Sequence, residues 1–118
     1  MQKYLQTSVD EVKTESEVKD LINTNDKVII SCGRNGPMCL PVYGAFEVLS
    51  EKEVYSDIKF LVMPFDVPGS AVIRNLPECR SFMGLPFTIY YKNGKVVGAT
   101  SSIQNAKAIK TSINEYFK

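Results

Sequence analysis

Histidine is absent from the chain. Its absence removes the imidazole base, and with it the Ser-His-Asp and Cys-His mechanisms and most zinc sites. Cysteine is sparse: Cys32, Cys39 and Cys79 stand at spacings of 7 and 40 residues, which is not the spacing of a zinc knuckle. There is no Walker loop and no Gly-x-Gly-x-x-Gly, so no recognisable phosphate cradle. No apolar run approaches the roughly 20 residues of a membrane span. The first residues, Met1-Gln2-Lys3-Tyr4-Leu5-Gln6-Thr7, lack the apolar core of a secretory leader. A cytoplasmic setting, where thiols stay mostly reduced, is therefore expected. Neither sign of charge dominates: the net charge is +1, with Lys and Glu interspersed, which gives no electrostatic case for nucleic acid or an anionic membrane. The chemistry left open is thiol chemistry, carboxylate chemistry or none.

What is present is an ordinary globular composition. The 118 residues are 44% hydrophobic and 23% charged, enough for one domain, residues 1–118, to bury its own core. The chain is organised around Cys32-Gly33-Arg34-Asn35-Gly36-Pro37-Met38-Cys39. This loop follows the apolar run Val28-Ile29-Ile30 and precedes a helix-like segment from Pro41 to Lys52. A cysteine where a strand ends and a helix begins is well placed for thiol chemistry. The free N–H groups and positive dipole end of a helix both favour a thiolate.

The remaining elements follow from periodicity and capping. Tyr4 to Val9 alternates loosely and predicts a short first strand. Thr14-Glu15-Ser16-Glu17 has the capping-box form, and Val18, Leu21 and Ile22 continue at helical spacing. This helix should run from Glu15 to Ile22 and stop in Asn23-Thr24-Asn25-Asp26. Lys27 to Cys32 reads as a buried central strand, β-branched and continuous. Val42, Ala45, Phe46 and Leu49 line one face of the next helix, and Pro41 suits its first turn. Cys39 lies three residues before Val42 and so opens the same inward stripe.

Lys59 to Met63 predicts a second buried strand, parallel to the first through the intervening helix. Ser70 to Leu76 predicts a short helix, interrupted by Pro77. Phe87 to Tyr91 reads as a strand, Lys92-Asn93-Gly94-Lys95 as a hairpin turn, and Val96 to Thr100 as the antiparallel return. Ala106, Ile109, Ile113 and Phe117 form the stripe of a final helix with Asn105 as its N-cap. The order β-α-β-α-β-(α)-β-β-α is that of an α/β sandwich with helices on both faces of the sheet.

This order and these residues resemble the thioredoxin family. Gly84-Leu85-Pro86-Phe87-Thr88, continuing to Tyr91-Lys92-Asn93-Gly94-Lys95, is similar to the family's Gly-Ile-Pro-Thr, strand, Phe-Lys-Asn-Gly-Glu segment. The Val28–Cys32 strand, the Gly-Pro loop, the helix through Leu49 and Asp66 also fit, so the resemblance spans nearly the whole chain. Ala71 to Asn75 looks like an insertion. The resemblance implies the thioredoxin fold: a three-layer α/β/α sandwich on a central mixed sheet, closed by the Asn-Gly hairpin and a C-terminal helix. It also implies that Pro86 is the family's cis-proline, lining a substrate groove with Pro37 and Leu85.

The departures lie in the motif. Thioredoxins carry Trp-Cys-Gly-Pro-Cys. Ungapped alignment of the helix sets Cys39 on the second cysteine and Gly36 on the first, the nucleophile. The family's buried carboxylate then falls on Ile30, and its strand-end tryptophan on Cys32. Aligning Gly36-Pro37 on the family's Gly-Pro instead leaves Asn35 and Met38 in the cysteine positions. Neither register contains the usual dithiol.

The resemblance therefore implies a thiol–disulfide oxidoreductase with a degenerate motif and weak or specialised activity. Cys39 is the candidate nucleophile and Cys32 its resolving partner, with Cys79 a bystander. The expected partners are protein or peptide thiols and disulfides, handled by a monomer with no cofactor or metal. The rival reading is a redox-inactive module that binds a peptide or protein through the cis-proline groove. A third is a single-thiol protein forming a mixed disulfide with a small thiol.

Overall fold

A computed structural model describes residues 3–118. Five strands form one mixed sheet in the order β1-β3-β2-β4-β5: β1 (Asp10–Glu11), β2 (Lys27–Gly33), β3 (Ile58–Pro64), β4 (Phe87–Lys92) and β5 (Lys95–Ser101). Four helices cover it: α1 (Glu15–Thr24), α2 (Leu40–Ser50), α3 (Ala71–Arg74) and α4 (Ala106–Tyr116). β2 is central, parallel to β3 and antiparallel to β4, and β4 and β5 form the terminal hairpin. This is the α/β sandwich that the element order predicts.

Local chemistry sets the boundaries. The Glu17 N–H donates to Thr14 Oγ1 while the Thr14 N–H donates to the Glu17 carboxylate, each at 3.1 Å, which completes the capping box of α1. The Ala108 N–H donates to Asn105 Oδ1 at 2.8 Å and starts α4. Asn93 (φ 53°) and Gly94 (φ 81°) both take the left-handed conformation that a two-residue hairpin turn needs.

The period of two along the strands divides the core into two layers. Ile29, Phe60, Val62 and Tyr90 pack under α2 and α4 with Val42, Phe46, Leu49, Ile109 and Ile113. Val28, Ile30, Cys32, Leu61, Met63 and Ile89 face the other way, toward Val18 of α1 and Ile73 of α3. β2 is therefore apolar at successive positions, as a strand buried on both faces must be.

The expected first strand is displaced. Tyr4 to Val9 form bends, and β1 is the two-residue segment Asp10–Glu11 paired with β3. The reason is where the backbone groups of the earlier segment find partners. The Glu11 carboxylate accepts from the N–H groups of Tyr4 and Leu5, and Glu47 accepts from Ser8. Asn35 accepts from the Gln6 N–H and donates to the Tyr4 carbonyl, each at 2.8 Å. Side chains satisfy this segment, so it needs no neighbouring strand.

Candidate functional site

The site forms where β2 ends. The strand leaves the sheet at Gly33, crosses Arg34 to Met38, and enters α2 through Cys39. The N–H groups of Cys39 and Leu40 both donate to the Gly36 carbonyl at 3.1 Å, closing the turn that seats Cys39 as the N-cap residue of α2. The Cys39 thiol makes no capping bond. It points back toward β2 instead, where the Arg34 N–H donates to its sulfur at 3.4 Å.

Gly33 makes this approach possible. A Cβ at position 33 would lie 2.8 Å from Cys39 Sγ, 2.8 Å from the Tyr43 hydroxyl and 2.9 Å from Pro86 Cβ. Sulfur, phenol and proline ring thus converge on one bare backbone position. The Leu85–Pro86 peptide bond is cis. The Tyr43 hydroxyl, one helical turn after Cys39, donates to the Arg34 carbonyl at 3.0 Å. Burial, and then the neighbouring Cys39, push the Tyr43 hydroxyl far above its ordinary range, so it stays protonated.

Arg34 frames the outer side. Its guanidinium donates two bonds of 2.8 Å to the Asp66 carboxylate and lies over the Phe65 ring, 5.2 Å from its centroid. The Arg34 guanidinium holds the Asp66 carboxyl below its ordinary value. Asp66 is the acidic residue that follows β3, and here it anchors the loop rather than facing the thiol. Pro37 and Met38 are exposed on the loop, Pro86 is buried behind it, and Leu85 and Phe82 are half-buried beside it. Met83 is almost fully exposed on the segment before Leu85.

The cysteines do not gather in one place. All three are free and buried. Cys39 belongs to the layer under α2, whereas Cys32 and Cys79 share the layer under α1 and α3. The strand-end position sends the Cys32 side chain away from Cys39, and burial pushes its thiol up to about 12. Burial likewise raises Cys79, to about 11. Ile30, on which the resemblance sets the family's buried carboxylate, is fully enclosed by apolar neighbours. Gly36 is open: a Cβ there would meet nothing within 4 Å.

No cluster of three or more His, Cys, Asp or Glu side chains able to hold a metal occurs among the described residues. No helix among them is long and apolar enough to cross a membrane. One surface hollow of about 470 Å³, lined by Lys27, Tyr55, Asp57, Ile113 and Phe117, lies at the start of β2, at the far end of the strand from Cys39, and holds no thiol. Chemistry, not volume, marks the Cys39 end as the candidate site.

No family model and no curated protein matches the chain. Solved structures do. Plasmodium falciparum thioredoxin is similar at 25% identity, covering 92% of this chain and 99% of its own, with a TM-score of 0.72. Malassezia sympodialis thioredoxin superposes at a TM-score of 0.74 with 14% identity, covering 100% of this chain and 98% of its own. The chain has the thioredoxin fold. Mitochondrial thioredoxin 3 of Saccharomyces cerevisiae is a further neighbour, at 23% identity, 92% and 95% coverage and a TM-score of 0.68. Within this fold, Arg34, Gly33 and Tyr43 join the candidate site without belonging to any sequence motif. Tyr43 carried a signal, since i and i+4 on a helix share a face. Arg34 and Gly33 carried none, because their partners are distant in sequence.

Proposed function

We propose that this chain is a thioredoxin-like thiol–disulfide exchange protein with a degenerate motif, in which Cys39 is the attacking thiol. The observation that carries this reading is the Cys39 sulfur at the head of α2, against Pro86 and beneath the Arg34 N–H. The Cys39 thiolate attacks a protein or peptide disulfide, forms a mixed disulfide with one sulfur, and expels the other as a thiolate. A second thiol must then release the product. Cys32 is the internal candidate, and its burial on the opposite face of β2 makes it slow, so turnover is weak or relies on an external thiol. Three free thiols fit a reducing, cytoplasmic setting, and in this reading the protein works as a monomer.

A second reading has its own observation. Cys39 is 3% exposed, while Met38 beside it in the chain and Met83, three residues before Pro86, are 43% and 99% exposed. A redox-inactive module that binds an extended peptide along Pro37, Leu85 and Pro86 would look the same.

Insulin reduction with dithiothreitol separates the two. Wild type should be far slower than an ordinary thioredoxin, Cys39→Ser should abolish what rate there is, and Cys32→Ser should lower it only if Cys32 resolves. Gly36→Cys meets no steric obstacle and should gain at least tenfold, about 1.4 kcal/mol of barrier, a gain that Cys39→Ser then removes. A wild-type rate indifferent to Cys39→Ser would favour the binding module.

A further inference from the structure

We propose that Tyr43 is a positioning residue for Cys39, its hydroxyl turning to donate a hydrogen bond to the sulfur once the thiol has lost its proton. This rests on Cys39 being the attacking thiol. Three contacts carry it. The Tyr43 oxygen and the Cys39 sulfur meet the same backbone point, each 2.8 Å from where a Gly33 Cβ would stand. The Tyr43 hydroxyl donates to the Arg34 carbonyl at 3.0 Å, while the N–H of that same Arg34 donates to the sulfur at 3.4 Å. Arg34 thus links Cys39 and Tyr43, and both the Arg34 N–H and the Tyr43 hydroxyl stand beside the sulfur.

The proton accounting is simple. The Cys39 proton leaves for solvent, and Tyr43 keeps its own. The hydroxyl rotates from the Arg34 carbonyl to the thiolate, and that carbonyl gives up its bond. Two donors then hold the anion, and hydrogen bonds to the charged form favour it. The phenol suits the task because burial and the neighbouring sulfur keep it protonated. The other charged or titratable groups within reach are few. Arg34, paired with Asp66, faces the sulfur from the loop. Cys32 lies behind it in β2, and Glu11 of β1 acts on the Tyr43 hydroxyl. Two donors thus serve the lone thiol in place of the partner cysteine that the alignment replaces with Gly36.

The test is the pH dependence of Cys39 alkylation by iodoacetamide, read by peptide mass spectrometry so that Cys32 and Cys79 are scored separately. In Tyr43→Phe the midpoint should rise by about one pH unit, with alkylation about tenfold slower below it and the limiting rate at high pH kept. A purely structural role would alter the limiting rate and the melting temperature but leave the midpoint. In the wild type, the Tyr43 ring-carbon resonance next to the hydroxyl should follow pH with the Cys39 midpoint, and this step should vanish in Cys39→Ser. An unmoved midpoint in folded Tyr43→Phe overturns the proposal, as does a Tyr43 resonance that ignores Cys39. Neither readout uses a disulfide substrate. A shifted midpoint without insulin reduction therefore keeps the Tyr43 role and sinks the exchange reading.

Discussion

At the scale of single residues, the site depends on what is missing as much as on what is present. Gly33 has no positive φ to accommodate, so its role is purely spatial. The absent side chain lets Cys39, Tyr43 and Pro86 close on β2. Gly33→Ala inserts a methyl at 2.8–2.9 Å from three atoms, none of which is the free end of a long, flexible chain. Overpacking of this kind costs about 1–3 kcal/mol. We expect the unfolding free energy lowered by that amount, read as a lower denaturant midpoint with an unchanged slope, and altered Cys39 alkylation. Gly36→Ala, with nothing within 4 Å, is the control and should move the midpoint little. Equal effects at the two positions would mean that close packing at Gly33 is not what orders the site.

At the scale of elements, the segment before β1 and the site loop are one unit. Asn35 stands where a backbone neighbour would, accepting from Gln6 and donating to Tyr4 across about thirty residues of sequence. Asn35→Ala removes both bonds and leaves the buried layers untouched. Amides of residues 4–8 should then exchange faster with deuterium while those of β2 and β3 keep their protection. Unchanged exchange at residues 4–8 would show the segment to be independent of the loop. This coupling also marks the limit of what the sequence discloses. The capping box at Thr14, the stripe from Val42 to Leu49 and the Asn93-Gly94 turn are legible because their physics is local. The parallel pairing of β2 with β3 is legible because a helix of the right length intervenes. The displaced first strand is not, because Glu11, Glu47 and Asn35 decide it from elsewhere. For the same reason the loop's cysteines could be named but not sided. Only the strand's facing, fixed by its two neighbours, sends Cys32 to one layer and leaves Cys39 in the other.

At the scale of the whole molecule, stability against pH should be flat through neutrality and steep on the alkaline side. With no histidine, no side chain has an ordinary pKa between pH 5 and 8. On the acid side, Glu17, Glu47, Asp57 and Asp66 are held below their ordinary values. The leading causes are the Lys13 N–H, the Thr7 hydroxyl, the Lys27 ammonium and the Arg34 guanidinium respectively. Their contribution is present above the ordinary carboxylate range and fades as pH falls. These groups are mainly exposed, so that limb is shallow. The alkaline groups are buried and shifted the other way. Burial raises Cys32 from 9.0 to about 12, Cys79 from 9.0 to about 11 and Tyr90 from 10.0 to about 12, and it carries Tyr43 and Tyr91 higher still. Below pH 9 both folded and unfolded chains keep these protons. Above it the unfolded chain releases protons that the folded chain retains, so unfolding is drawn forward and stability falls as pH rises. For Cys32 alone the loss by pH 11 is on the order of 2–3 kcal/mol. Urea midpoints measured from pH 4 to pH 11 should show a plateau that breaks near pH 9. Cys32→Ala should lower the plateau and flatten the alkaline limb, because the deleted thiol no longer separates the two states. An alkaline limb as steep in Cys32→Ala as in the wild type would mean that the buried thiol of β2 does not govern it.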